Sequence, residues 1–289
     1  MIYQAFISTL IFLARTAPFV VISYLAIAYL SKRSYLAKAL RIMAFSLKRL
    51  RLNSIAFTSF VLSFFNIVVA YTFLSQAWRE KRVRDKDVIA ISLLNSFPSV
   101  FSHLYSFYIP FVIPILGYLG LVYTALRFAV AMIKSFIGYL LLDKGDGLPE
   151  IERYEVRISE NILKVLAVMF LTYFAIELLY SAGILNFFVK NLEFLPIDPS
   201  ALTISIVAVF NLRSAIVLTA GFLEKGLSYK WALIGLLLGN VISFSVRSAK
   251  HSLPLHLSLF GKFGFKIVFI NSILTLLLDV VIIAVLLMI

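Results

Sequence analysis

Cysteine is absent from this 289-residue chain, which excludes disulfides, thiolate catalysis and cysteine-ligated metal and leaves the redox compartment open. Charge is scarce: 14% of residues are Asp, Glu, Lys or Arg, against about 25% in ordinary soluble domains. Acids are the rarer sign, 14 against 27 basic residues, for a formal net charge of +13. In a soluble chain that excess would point to nucleic acid. Here the basic residues sit in short segments beside long apolar runs, where orientation bias and anionic lipid account for them, and no nucleic acid is expected. Alternating segments of about ten residues are missing, which excludes a β-barrel. The first apolar run has no basic segment before it and no small-residue cleavage site, so it is expected to be a retained span. His103, His251 and His256 lack ligand spacing with acids, and neither a nucleophile–base arrangement nor a glycine-rich phosphate loop stands out. An enzyme is therefore not expected, and no cofactor, metal or ATP-driven step is implied.

What the chain has is apolar length: 62% hydrophobic residues and a mean hydropathy of +0.99. Several stretches exceed the roughly 20 apolar residues that cross a bilayer core. The expected fold class is all-α, a multi-pass integral protein of the cytoplasmic membrane with the lipid bilayer as its surroundings. Spans are read at 3–30, 54–77, 88–109, 110–142, 160–181, 201–222, 231–252 and 254–289. Between the first two, Ser31–Asn53 carries Lys32, Arg33, Lys38, Arg41, Lys48, Arg49 and Arg51 with no acid. Leu36, Leu40, Met43, Leu47 and Leu50 recur there at helical spacing, so this segment is expected to lie along the cytoplasmic interface as an amphipathic helix. A polar stretch at 146–158 separates 1–145 from 159–289.

These two parts look like copies. Sliding 74–120 onto 218–264 matches Leu74, Glu80, Lys81, Lys86, Leu93, Leu94, Ser99, Pro110, Gly117 and Gly120 with identical residues. Chance would give roughly four such matches in a chain of this composition. The shared Pro-x6-Gly-x2-Gly spacing falls on residues that break or permit backbone geometry. Paired, interrupted apolar segments in corresponding halves point to the binding site of a secondary transporter. The lateral stretch of the second half, 182–200, holds only Lys190 among basic residues, where its counterpart holds seven. That asymmetry favours inverted repeats, which need an odd number of crossings per half. On that count 88–109 and 231–252 are expected to be re-entrant.

LLNSFPS at 93–99, the later Pro110, Gly117 and Gly120, and in the second copy LLLGNVIS at 236–243 followed by SLP and LFGKFG, resemble the Gate-domain, or nucleoside-recognition, membrane proteins. The likeness is to their short two-repeat archaeal and bacterial members. The resemblance implies a two-repeat helical fold and a transport function, with a nucleoside-like solute. It also implies a relation to ferrous iron permeases, whose Gly-Cys element this chain lacks.

Candidate binding residues sit at the interruptions. Asn95, Ser96, Ser99 and Ser102 in one copy, and Asn240, Ser243 and Ser245 in the other, supply small donors and acceptors where backbone groups would be exposed at membrane depth. Asn66 and Asn211 lie near the centres of the second span of each half and either line one cavity or bond between helices. Glu177, Arg213 and Asp279 fall within apolar spans, where a charge must be paired or functional. Glu177 and Arg213 are candidates for pairing with each other or for ion coupling, and Asp279 for pairing with Arg127 or Arg213. Arg247, Lys250 and His251 form either a basic cavity wall favouring an anionic solute or a cytoplasmic anchor. The expected function is secondary or passive transport of a small polar solute. An ion or ferrous-metal permease core and a non-transporting membrane scaffold are the alternatives, and a homo-oligomer is left open.

Overall fold

The computed structural model describes residues 2–32, 50–65, 67–143, 162–182, 197–242 and 252–289. Among them the chain is helical throughout, without a strand. The helices are α1 (Ile2–Lys32), α2 (Ser54–Phe65), α3 (Ile67–Arg79), α4 (Asp85–Leu94), α5 (Ser96–His103), α6 (Ile113–Leu116), α7 (Tyr118–Leu141), α8 (Ile162–Ser181), α9 (Pro199–Phe210), α10 (Leu212–Glu224), α11 (Tyr229–Ile242), α12 (Leu253–Phe260) and α13 (Lys262–Met288). A π-helical stretch, Leu104–Val112, joins α5 to α6 around Pro110. Three runs are long and apolar enough to cross a membrane, Asp85–Leu116, α7 and α13, and they point to association with a membrane. The amphipathic helix expected over 31–53 and the polar linker at 146–158 fall largely or wholly outside the described residues.

Residues 88–109 do not turn back on themselves. Asn95, between α4 and α5, keeps right-handed helical angles (φ −69°, ψ −4°). Side chains along 85–116 then meet α7 in steadily reversed order. Gly138 lies against Ala90 and Leu94, Ser135 against Leu94, Tyr108 near Tyr123 and Gly120 against Val112. The reversal occurs at Gly117, whose φ of +57° and ψ of −127° suit glycine alone. Gly261 has the same geometry (φ +57°, ψ −141°) between α12 and α13. The expected re-entrant turn within 88–109 is thus replaced by one long run and a full-length antiparallel hairpin.

Pro98 still disturbs the run, as its chemistry requires. It has no N–H, so the Leu94 carbonyl loses its intrahelical donor. Ser135 of α7 repairs the gap: its hydroxyl donates to Leu94 O at 2.6 Å and accepts from the Phe97 N–H at 2.9 Å. It comes close enough because Gly138, one turn on, has no side chain; a Cβ there would sit 2.5 Å from Ala90 O and Leu94 N. Ser135→Ala should therefore lower stability by about 1–3 kcal/mol, the effect of leaving buried polar groups unpaired. Thermal unfolding in detergent measures it. An unchanged midpoint would mean that Ser135 is not what satisfies the break.

The chain folds back where spans were expected, at 54–77 and 201–222. Helix α2 rises parallel to 95–105: Asn95 bonds Ser59, Phe64 edges onto Phe97 and Phe101, and Tyr105 donates to Phe64 O. Helix α3 then descends, with Tyr71 at Ser92 and Trp78 donating to Asp85 at 2.8 Å. Helices α2 and α3 thus run in opposite directions along the neighbouring run, and Asn66, between them, is outside the described residues. In the second part α9 runs parallel to α11, Gly235 fitting against Ala201 and Gly239 against Ser205 and Ala208. Helix α10 returns to the start of α11, so this segment reverses at Asn211.

Two apolar cores hold the helices together, and each mixes the two parts of the chain. Phe260 and Ile267 join the core around α2 and α3; Phe111, Val112 and Leu119 join the core around α8, α9, α10 and α11. Outside the apolar segments, a hydrogen bond from Arg84, with Lys86 nearby, holds the exposed Asp143 carboxyl below the usual carboxylate range and ties the two ends of the first long hairpin.

Candidate functional site

A cavity of about 530 Å³ opens where the first short hairpin, the Asn95 region, α7, α12 and α13 meet. Tyr71 and Ile67 come from α3. Ser92, Asn95, Ser96, Ser99 and His103 come from the long run, Arg127 and Lys134 from α7, Ser252 and His256 from the start of α12, and Asn271, Ser272 and Thr275 from α13. Val100, Val130, Ala131, Leu255 and Val268 make the apolar wall.

Each polar group is placed by a definable contact. Asn95 caps α4 and is fully buried; its amide donates to Ser59 Oγ at 2.8 Å, while its Oδ1 is buried without a hydrogen-bond partner. Buried polar atoms are paired in the great majority of cases, which makes this enclosed acceptor an exception. Asn271 reaches across to Ser92 Oγ at 2.7 Å, and Lys134 donates to Thr275 Oγ1 at 2.9 Å. Nη1 of Arg127 bonds both oxygens of Asp279, at 2.6 and 2.9 Å, with Asp279 only 1% exposed. Nδ1 of His256 lies 2.8 Å from Ser252 O, an arrangement that puts its proton on Nδ1 and turns Nε2 elsewhere, and the ring stands edge-on to Tyr71. No acidic side chain lines the cavity, and no group of three His, Asp or Glu that could hold a metal occurs among the described residues.

The sequence candidates separate into distinct places. Asn95, Ser96 and Ser99 line the cavity. Ser102 does not; it donates to Ser99 O. Asn240, the repeat counterpart of Ser96 by alignment, bonds Tyr123 OH at 3.3 Å, away from the cavity. Asn211 is a helix cap, accepting from the N–H groups of Arg213 and Ser214. Glu177 pairs with Lys225 at 2.9 Å rather than with Arg213, and Arg213 lies over the rings of Phe107 and Phe111. Asp279 takes the Arg127 alternative. Asn66, Ser243, Ser245, Arg247, Lys250 and His251 lie outside the described residues. Lys134, Asn271 and Thr275 were not among the sequence candidates. Lys134 had a readable signal, a lysine in mid-helix in an apolar run; the other two had none.

Fold and cavity together define an all-helical protein with membrane-length helices around a polar cavity. The chain belongs to the family of the uncharacterized protein MJ0871 of Methanocaldococcus jannaschii, to which it is 37% identical over 95% of its own length and 93% of that protein's. Two further uncharacterized proteins of that organism are similar: MJ0880, 29% identical over 72% of this chain and 76% of its own, and MJ1556, 20% identical over 73% and 74%. No family model matches the chain, and no solved structure matches it.

Proposed function

We propose that this is a multi-pass protein of the cytoplasmic membrane that carries a small polar solute, as a secondary or passive transporter. The observation that carries the proposal is the cavity itself: about 530 Å³, walled by hydroxyls, amides and cations, with the buried Asn95 acceptor unfilled. Such a concentration of polar groups around one volume, beyond those that bond helix to helix, suits a solute stripped of water.

Several features support two inverted, Gate-like halves. Gly117 and Gly261, 144 positions apart, share one backbone geometry. The Cβ clashes at Gly120 and Gly264 fall on the aligned residues Val112 and His256. With the short hairpin counted as returning to the side it left, α1, 85–116 and α7 would make three crossings in the first half, an odd number, which would start the second half from the opposite face. Transport would proceed by movement of one half against the other around the cavity, and the resemblance to nucleoside-recognition proteins makes a nucleoside-like solute the first to test.

The test is flux into proteoliposomes over a panel of nucleosides, organic acids and inorganic ions. Filling the cavity with Ala131→Trp should abolish flux at least tenfold while leaving folded, monodisperse protein. If no solute in the panel crosses, the transporter reading fails and a scaffold role takes its place.

A further inference from the structure

We infer that the cavity takes an organic anion, its acidic group against Lys134. This deepens the transport reading and rests on it.

The argument begins with a charge inventory. The helices that line the cavity contain three acids: Asp85 and Asp87 lie in the first turn of α4, bonded to Trp78 and Arg84, and Asp279 lies in α13. Both its oxygens are engaged by Arg127, so that pair is close to neutral. Lys134 remains, a second cation on the same cavity wall, with Thr275 Oγ1 taking one of its three hydrogens. A hydroxyl accepts a hydrogen bond and carries no balancing charge. An ammonium buried beside apolar residues is expensive unless a negative charge joins it. His103 and His256 also border the cavity, and neither brings negative charge. A cationic ligand would meet repulsion from this wall and find no carboxylate there. Asp279 acts on Lys134 as well as on Arg127, and a neutral ligand would leave the one net positive charge of the three groups in place. An anion offsets it.

The size of the occupant follows from the volume: about 530 Å³ admits organic anions from a three-carbon acid up to a nucleoside monophosphate.

The test uses the full-length protein in lipid nanodiscs and a matched three-carbon pair, propane-1,2-diol (neutral) and lactate (anionic). Uridine and uridine 5′-monophosphate form a larger matched pair. Equilibrium binding should favour lactate over the diol, or the monophosphate over uridine, by at least tenfold. K134Q should reduce that preference at least tenfold and K134R should retain it. Thermal unfolding of each variant confirms that it is folded. If uridine or the diol binds as well as its anionic partner and K134Q changes nothing, the anion inference falls and the transport reading stands. If no probe binds and none crosses proteoliposomes, both fall.

Discussion

Substituting valine for Gly264 should abolish the folded, monodisperse protein. A Cβ at this position would sit 2.1 Å from His256 O, 2.4 Å from the His256 carbonyl carbon and 2.8 Å from Leu257 N. All three are backbone atoms, so no side chain can swing aside. The obstruction can be relieved only by prying α13 away from α12, which would move Ser252 and His256 out of the cavity wall and pull Phe260 from the core around α2 and α3. Overpacking of a well-filled interior ordinarily destabilises by about 1–3 kcal/mol, and a rigid backbone contact should exceed that range. Gly120 is the milder case, its nearest atoms being Val112 O at 2.8 Å and the Ile113 Cα at 2.9 Å. Gly120→Ala should be measurably less damaging than Gly264→Ala in thermal unfolding and in yield of monodisperse protein. Equal tolerance of valine at Gly264 would show that α12 and α13 do not close as described.

The second large effect concerns Arg127 and Asp279. The pair joins α7 to α13, with Asp279 almost wholly enclosed. Removing one partner leaves a buried charge without compensation, which typically destabilises by about 3–5 kcal/mol. Asp279→Leu or Arg127→Met should each show this loss. The double variant should recover much of it, since replacing a buried ion pair with apolar groups of similar volume is often nearly neutral. The double-mutant cycle reads the coupling directly. Additive losses would mean that each charge is satisfied by other groups. The double variant should also keep its preference for an anion, because Lys134 is left in place.

These two predictions show how differently the residues of this chain can be read. Gly264 was marked in the sequence by its spacing from Pro254 and Gly261, repeated 144 positions earlier. That mark concerns the backbone, and the structure uses it for tight reversals at Gly117 and Gly261, inside the stretches 110–142 and 254–289 that were expected to run as single spans. Asp279 was readable as a charge needing a partner, but its partner came down to two arginines. The choice of Arg127 depends on which face of α7 meets α13, a matter of packing over 152 positions of chain. Lys134 went unremarked although the rule that singled out Glu177 applies equally to it. Asn95 and Asn240 looked equivalent because both occur at interruptions, yet one lines a cavity and the other bonds a tyrosine.

The most instructive difference is the place where the chain doubles back. By length alone, 54–79 could cross a bilayer, since 26 residues at about 1.5 Å each make some 39 Å. Two short helices running in opposite directions, Ser54–Phe65 and Ile67–Arg79, use that length up. Nothing in local hydropathy separates a straight helix from a folded one. Conversely Pro98 announced a break in 88–109, and the chain continues there because Ser135, some forty positions distant, supplies the hydrogen bonds that proline removed.

Composition and periodicity by themselves determined that the chain is helical and that its longest helices match a membrane. Glycine and proline spacing marked where the backbone takes special geometry, because backbone angles and the missing N–H act within a few residues, but not that the long hairpins reverse there. Tertiary structure alone decided which apolar segment folds back, which break is healed, which charge is neutralised and which is left facing a cavity. Those outcomes depend on partners far away in the chain, and hydrogen bonds, ion pairs and enclosed volume arise only between surfaces that packing has brought together.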